Sequence, residues 1–145
     1  MISIQFLEVR KPTFLKLNEL KSFLKTLVLK EGKRVGDLSV VFCTDEYLLK
    51  VNQDYLQHDF YTDIITFDYC VGETVSGDLL ISLDRVLENS VLENTTFDKE
   101  FFRVVFHGVL HLCGYKDKSK SDIIQMRAKE NEYLDFFVSR ETNKK

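Results

Sequence analysis

The chain has 145 residues, a formal net charge of −3, 44% hydrophobic and 30% charged residues, which is the make-up of one globular domain spanning residues 1–145 that buries a core without cross-links. The charge excludes global steering toward nucleic acid, so such binding must rest on a local basic patch. Three scattered cysteines, Cys43, Cys70 and Cys113, argue against a disulfide framework and for a reducing, cytoplasmic setting.

In chain order, Ile2 to Val9 alternates as a strand does, without the apolar run of a secretory leader. No segment approaches membrane-spanning length. Pro12 and Thr13 open a helical pattern through Leu15, Leu20, Phe23, Leu24, Leu27 and Val28, which Gly32 ends. Leu38 to Phe42 is a second strand. Thr44 is positioned to cap a helix over Asp45 to Tyr55, with Tyr47, Leu48, Val51 and Tyr55 on its buried side. The polar loop QHDFYTD follows, then β-rich runs at Ile64–Cys70 and Asp78–Leu83, joined by VGETVSG, whose two glycines suit a tight reversal. A helix is expected over Leu83–Leu92. Asp98 can cap another that carries Phe101, Phe102, Val105 and Leu110, and Ser119 or Ser121 starts the last, through Ile124 to Phe137. Disorder is expected for the tail Glu141–Lys145 alone. The predicted fold class is α+β, a small mixed sheet of about four strands with helices packed on it.

The chemistry concentrates in FHGVLHLCGYKDKSKSD, residues 106–122. His107 and His111 stand at i and i+4, about 40° apart around a helix, so both imidazoles leave one face and can share an ion. Gly114 can adopt the left-handed conformation that ends a helix, returning the chain so that Asp117 approaches from a third direction. Two histidines and a carboxylate leave coordination positions open, as in catalytic and not structural zinc sites. Cys113 points to roughly the opposite side and reads as core. Zinc peptidases follow their first histidine with a glutamate base, but here the residue is Gly108. Water activation then falls to the metal or to another carboxylate.

HGVLHLCGYKD resembles the signature of the YbeY family of metal-dependent endoribonucleases, H-G-x-L-H-x-x-G-Y-D-H. NQDY at 52–55, TDIITF at 62–67 and SGDLLIS at 76–82 fit the same family in order, so the resemblance covers about residues 38–130. It implies a small α+β sheet with a metal site on a helix and the following loop, and cleavage of single-stranded RNA in ribosomal RNA maturation, including the 3′ end of the small-subunit RNA, and in ribosome quality control. Its implied partners are ribosomal RNA and the ribosome or its assembly proteins, without a membrane. The implied cofactor is one zinc ion, or another divalent transition metal, on His107, His111 and Asp117. Asp117 falls where the family has a third histidine, and a carboxylate there should make the metal less electrophilic. Leu56 falls where the family usually has an arginine that would contact a phosphate. Arg103, one turn before His107, is the substitute expected to join His107 and His111 in catalysis.

Lys116, Lys118 and Lys120 flank Asp117 and could place RNA phosphates beside the metal, although a solvated loop has the same composition. His58 reads as an exposed loop histidine and Asp63, with Thr62, as an anchor for the third strand. Asp78 is either a carboxylate orienting a ligand histidine or a strand-end residue. Two further functions remain open, a zinc metallopeptidase of the HxxxH type and a non-catalytic, ribosome-associated metal-binding protein.

Overall fold

β-Branched and aromatic residues alternate with polar ones in four stretches, and in a computed structural model these pair into one sheet. The structure describes residues 1–143, with side chains to Arg140; of the tail expected to be disordered, 141–143 are helical and 144–145 lie outside the described residues. The strands are β1 (Ile2–Phe6), β2 (Arg34–Cys43), β3 (Ile64–Asp68) and β4 (Thr74–Ser82), in the order β1-β2-β4-β3. β1, β2 and β4 run parallel, and β3 is antiparallel to β4 at the edge. The helices are α1 (Leu17–Lys30), α2 (Asp45–Leu56), α3 (Leu83–Leu92), α4 (Phe97–Leu112) and α5 (Lys120–Asn143). The fold class is the α+β mixed sheet expected.

The boundaries move for local reasons. β1 stops at Phe6, opposite Phe42, and Glu8 then takes a left-handed conformation. β2 is longer than expected because a bulge between Val35 and Leu38 absorbs Gly36 and Asp37, which had broken its alternation. The Asp68 carboxylate accepts from the Cys70 N–H at 2.8 Å, and this turn ends β3 before Cys70. The reversal into β4 is a two-residue turn between Val71 and Thr74 with Gly72 at φ 58°. Gly77, expected in the turn, lies inside β4 instead, where a Cβ would stand 2.5 Å from the Phe67 carbonyl. α1 begins at Leu17 rather than near Pro12, since Lys16 is still extended. Thr96 and not Asp98 caps α4, its hydroxyl accepting from the Lys99 N–H. Ser119 caps α5 reciprocally, its hydroxyl accepting from the Asp122 N–H and the Asp122 carboxylate from its own N–H.

One sheet face carries Val40, Phe42, Val75, Leu79 and Ile81 into a core with α1, α4 and α5. Phe42 stacks on Phe101 at 4.7 Å, and Phe23, Phe102, Phe106 and Phe137 extend the aromatic layer. The other face packs Cys43, Ile65, Phe67 and Leu80 against Leu48 and Val51 of α2. Tyr47 and Tyr55, expected on the buried side of α2, are 45% and 72% exposed, while Asn52 is 2% exposed. α4 is central, lying between the sheet and α5. Gly108 makes its approach possible, because a Cβ there would come 2.7 Å from Ile64 Cδ1 and 2.9 Å from Leu79 Cδ1. Among the described residues no helix is long and apolar enough to cross a membrane.

Candidate functional site

α4 turns its apolar stripe to the sheet, and its half-buried His107 and His111 stand toward the edge strand β3. Their rings are nearly parallel, with centroids 6.3 Å apart. His107 Nδ1 lies 2.7 Å from Glu130 Oε2 of α5, and His111 Nδ1 lies 2.8 Å from the Tyr115 carbonyl oxygen. A carboxylate and a carbonyl only accept, so each Nδ1 carries the hydrogen and donates it, leaving both Nε2 lone pairs free when the rings are neutral. Gly114 at φ 114° folds the chain back after α4, as the sequence suggested, and brings Asp117 Oδ2 to 3.4 Å from His107 Nε2. His107, His111 and Asp117 therefore meet in one cleft of about 290 Å³, walled by Leu56, Phe60 and Ile64.

A metal can be tested against this donor set. Two imidazoles whose Nδ1 atoms are fixed by acceptors, beside an exposed carboxylate, have the chemistry of divalent transition-metal ligands. The three are not drawn into a closed cage: among the described residues no group of three or more His, Cys, Asp or Glu side chains is arranged to hold an ion. The electrostatics favour positive charge at the same point. Burial opposes protonation of His107, but Glu130, Asp117 and Asp63 outweigh it and raise its pKa. Cys113 is buried and its thiol is pushed up to about 12 by that burial, consistent with a core residue.

Glu130, the partner of His107 Nδ1, is not among the residues that the sequence singles out. It is 4% exposed and sits on the α5 stripe of Met126, Tyr133 and Phe137, where a carboxylate is out of place unless it has a partner. That misplaced charge is the signal in the sequence. Arg103 lies on the His107 side of α4 as expected. Its guanidinium is held by Glu100 at 3.4 Å, Glu130 at 3.6 Å and Asn131 at 3.1 Å, lining a second cleft of about 370 Å³ that meets the first at His107 and Asp117. Asp63 lines that second cleft too, and burial pushes its carboxyl up. Asp78 shares the α2 side of the sheet with Leu80, away from α4, so Glu130 and not Asp78 orients a histidine. Lys116, Lys118 and Lys120 are exposed around Asp117, and His58 is an exposed loop residue stacked on Phe60.

An α+β sheet whose central helix offers two oriented imidazoles to an open cleft defines a class of scaffold whose donors suit a divalent transition metal. Within it, the chain belongs to the YbeY endoribonuclease family, whose sequence profile matches residues 8–138. It is 59% identical over 103 residues to an endoribonuclease YbeY of Porphyromonas gingivalis, covering 71% of this chain and 68% of that one. It is 48% identical over 134 residues to an endoribonuclease YbeY of Phocaeicola vulgatus, covering 92% and 96%. A solution structure of a Thermotoga maritima protein superposes with a TM-score of 0.71 at 29% identity, covering 99% of this chain and 93% of that one.

Proposed function

We propose that the protein is a metal-dependent endoribonuclease hydrolysing phosphodiester bonds of single-stranded RNA, in ribosomal RNA maturation and ribosome quality control in the cytoplasm. The observation that carries this reading, beside the family, is that His107 and His111 each spend Nδ1 on an acceptor and turn Nε2 toward the cleft that Asp117 shares. His107, His111 and Asp117 would hold the ion, with zinc the first candidate by ligand type. The chemistry such a group supplies when bound is Lewis acidity toward a phosphoryl oxygen and a lowered pKa for water. Glu130 and the Tyr115 carbonyl orient the two rings. Lys116, Lys118 and Lys120 offer positive charge to phosphates entering beside Asp117, whereas the Arg103 charge in the adjoining cleft is already engaged by Glu100 and Glu130.

The peptidase alternative loses support from packing as well as chemistry. Gly108 is buried against Ile64 and Leu79, leaving no room at that position for a glutamate base. Incubating end-labelled single-stranded and duplex RNA, and a peptide pool, with the protein before and after chelation tests the reading. Cleavage of the single strand alone, lost with chelator and in His107→Ala, is expected. RNA left intact by metal-loaded protein would defeat it.

A further inference from the structure

The loop between α2 and β3 is fastened more firmly than its exposure requires. Asn52, buried beneath it, donates from Nδ2 to the Phe60 carbonyl at 2.9 Å, and its main-chain carbonyl accepts from the His58 N–H at 3.0 Å. Gln53 Nε2 donates to Asp59 Oδ1 at 2.6 Å, and the Tyr61 hydroxyl donates to Glu46 at 3.0 Å, beneath the Arg85 guanidinium. The rings that this scaffold presents have no use in the core. Phe60 is 56% exposed, belongs to neither hydrophobic cluster, and lies nearly parallel to the exposed His58 ring, 5.1 Å between centroids with 21° between planes.

Both rings line the cleft that holds His107, His111 and Asp117. The rest of its wall is apolar at Leu56, Ile64 and Ile65, with hydroxyls at Thr62 and Thr66. A solitary exposed phenylalanine needs no explanation. An aromatic pair held by a buried amide at the mouth of a hydrolytic cleft has one ligand chemistry that suits it, the flat face of a base. Stacking of bases on aromatic side chains is how single strands are bound without sequence readout, and it needs a base freed from pairing and from its neighbours, which a single strand supplies and a duplex does not.

We propose that the His58–Phe60 pair is a nucleobase-stacking subsite that seats a nucleotide next to the scissile bond and selects single-stranded over duplex RNA. This rests on the endoribonuclease reading of the cleft. Leu56 completes the same surface, giving the base an apolar edge where a phosphate would need a cation.

Binding of a short fluorescent single-stranded RNA in chelator, and its cleavage with metal restored, test this on the full chain. The set comprises the unmutated protein, Phe60→Leu and Phe60→Trp, with the RNA intact or carrying one abasic nucleotide at each position in turn. Phe60 is exposed, so the variants should keep the unmutated unfolding midpoint. Phe60→Leu is expected to weaken binding about 5- to 100-fold, Phe60→Trp to restore it, and an abasic residue at one position to harm the unmutated protein but not Phe60→Leu. Cleavage by the unmutated protein matched by Phe60→Leu on intact and abasic strands would overturn the subsite while leaving the nuclease standing. That result is also expected if the rings serve a protein partner. Failure of the unmutated protein to bind or cleave any single strand would overturn both.

Discussion

Glu130 Oε2 sits 2.7 Å from His107 Nδ1, and that contact decides which nitrogen of His107 faces the cleft. The carboxylate is in turn steadied by Arg103 at 3.6 Å and Arg127 at 3.8 Å, so a buried charge on α5 is neutralised by groups on both helices. Removing it should release the ring. Glu130→Ala is expected to weaken metal binding about 10- to 100-fold, the usual cost of losing a residue that orients a histidine ligand. Glu130→Gln keeps an acceptor for Nδ1–H and should lose less. A competition titration against a chelating dye measures the affinity, and ring nitrogen shifts of His107 report the tautomer directly. Unchanged affinity in Glu130→Ala would remove its positioning role.

Asp117 has an exposed carboxylate 3.4 Å from His107 Nε2 and, among the described residues, no other side-chain ion pair or hydrogen bond. As a ligand it should matter for affinity and little for the fold. Asp117→Ala is expected to weaken metal binding, and Asp117→His to retain it with a neutral donor. Equal zinc affinity in Asp117→Ala and the unmutated protein would leave the two histidines as the protein's sole ligands.

What the sequence made legible is what lies close together along the chain. His107, His111, Gly114 and Asp117 fall within one helix end and its return, so their spacing alone predicts the shared cleft. Glu130 comes from the next helix, and spacing cannot say which face of α4 that helix meets. Tyr47 and Tyr55 had the periodicity of buried residues, yet α2 covers only the small patch of Cys43 and Ile65, and amphipathic rings at its margin stay in water. Asn52 was invisible for the opposite reason, being a polar residue buried because the loop above it supplies the Phe60 carbonyl to its side-chain amide. Gly77 read as a turn residue because the sequence does not reveal how near Phe67 and Leu112 approach.

Gly108 gives a test of packing. The atoms nearest a Cβ there are methyl ends of Ile64 and Leu79, which can shift, so Gly108→Ala is expected to fold and to lose about 1–3 kcal/mol in urea denaturation. Gly108→Glu places a carboxylate against the same methyls with no partner, and should abolish cooperative folding rather than confer peptidase activity. A folded, peptide-cleaving Gly108→Glu protein would contradict this packing.

The loop that carries Asp117 is tied to α1 through an acid. The Tyr115 and Tyr133 hydroxyls both donate to the Glu31 carboxylate, and Lys129 stands 3.6 Å from it. Burial pushes the Glu31 carboxyl up, but the two hydroxyls and the ammonium outweigh that and hold it below its ordinary value. A folded-state pKa below the unfolded one means that the unfolded chain binds the proton more readily. Glu31 therefore stabilises the fold fully above the ordinary carboxyl range, and the contribution fades as pH falls through that range toward its folded value. Urea denaturation at neutral pH and again at about pH 4 should show the unmutated protein losing more stability on acidification than Glu31→Gln, whose amide does not titrate. Tyr133→Phe should cost about 2 kcal/mol at neutral pH, the scale of a hydrogen bond to a charged group. Parallel acid losses in the unmutated protein and Glu31→Gln would place the acid-sensitive charge elsewhere. Because the Tyr115 carbonyl also accepts from His111 Nδ1, a loop loosened by Tyr133→Phe should show as increased hydrogen exchange over residues 113–118 at neutral pH, before any loss of the helices.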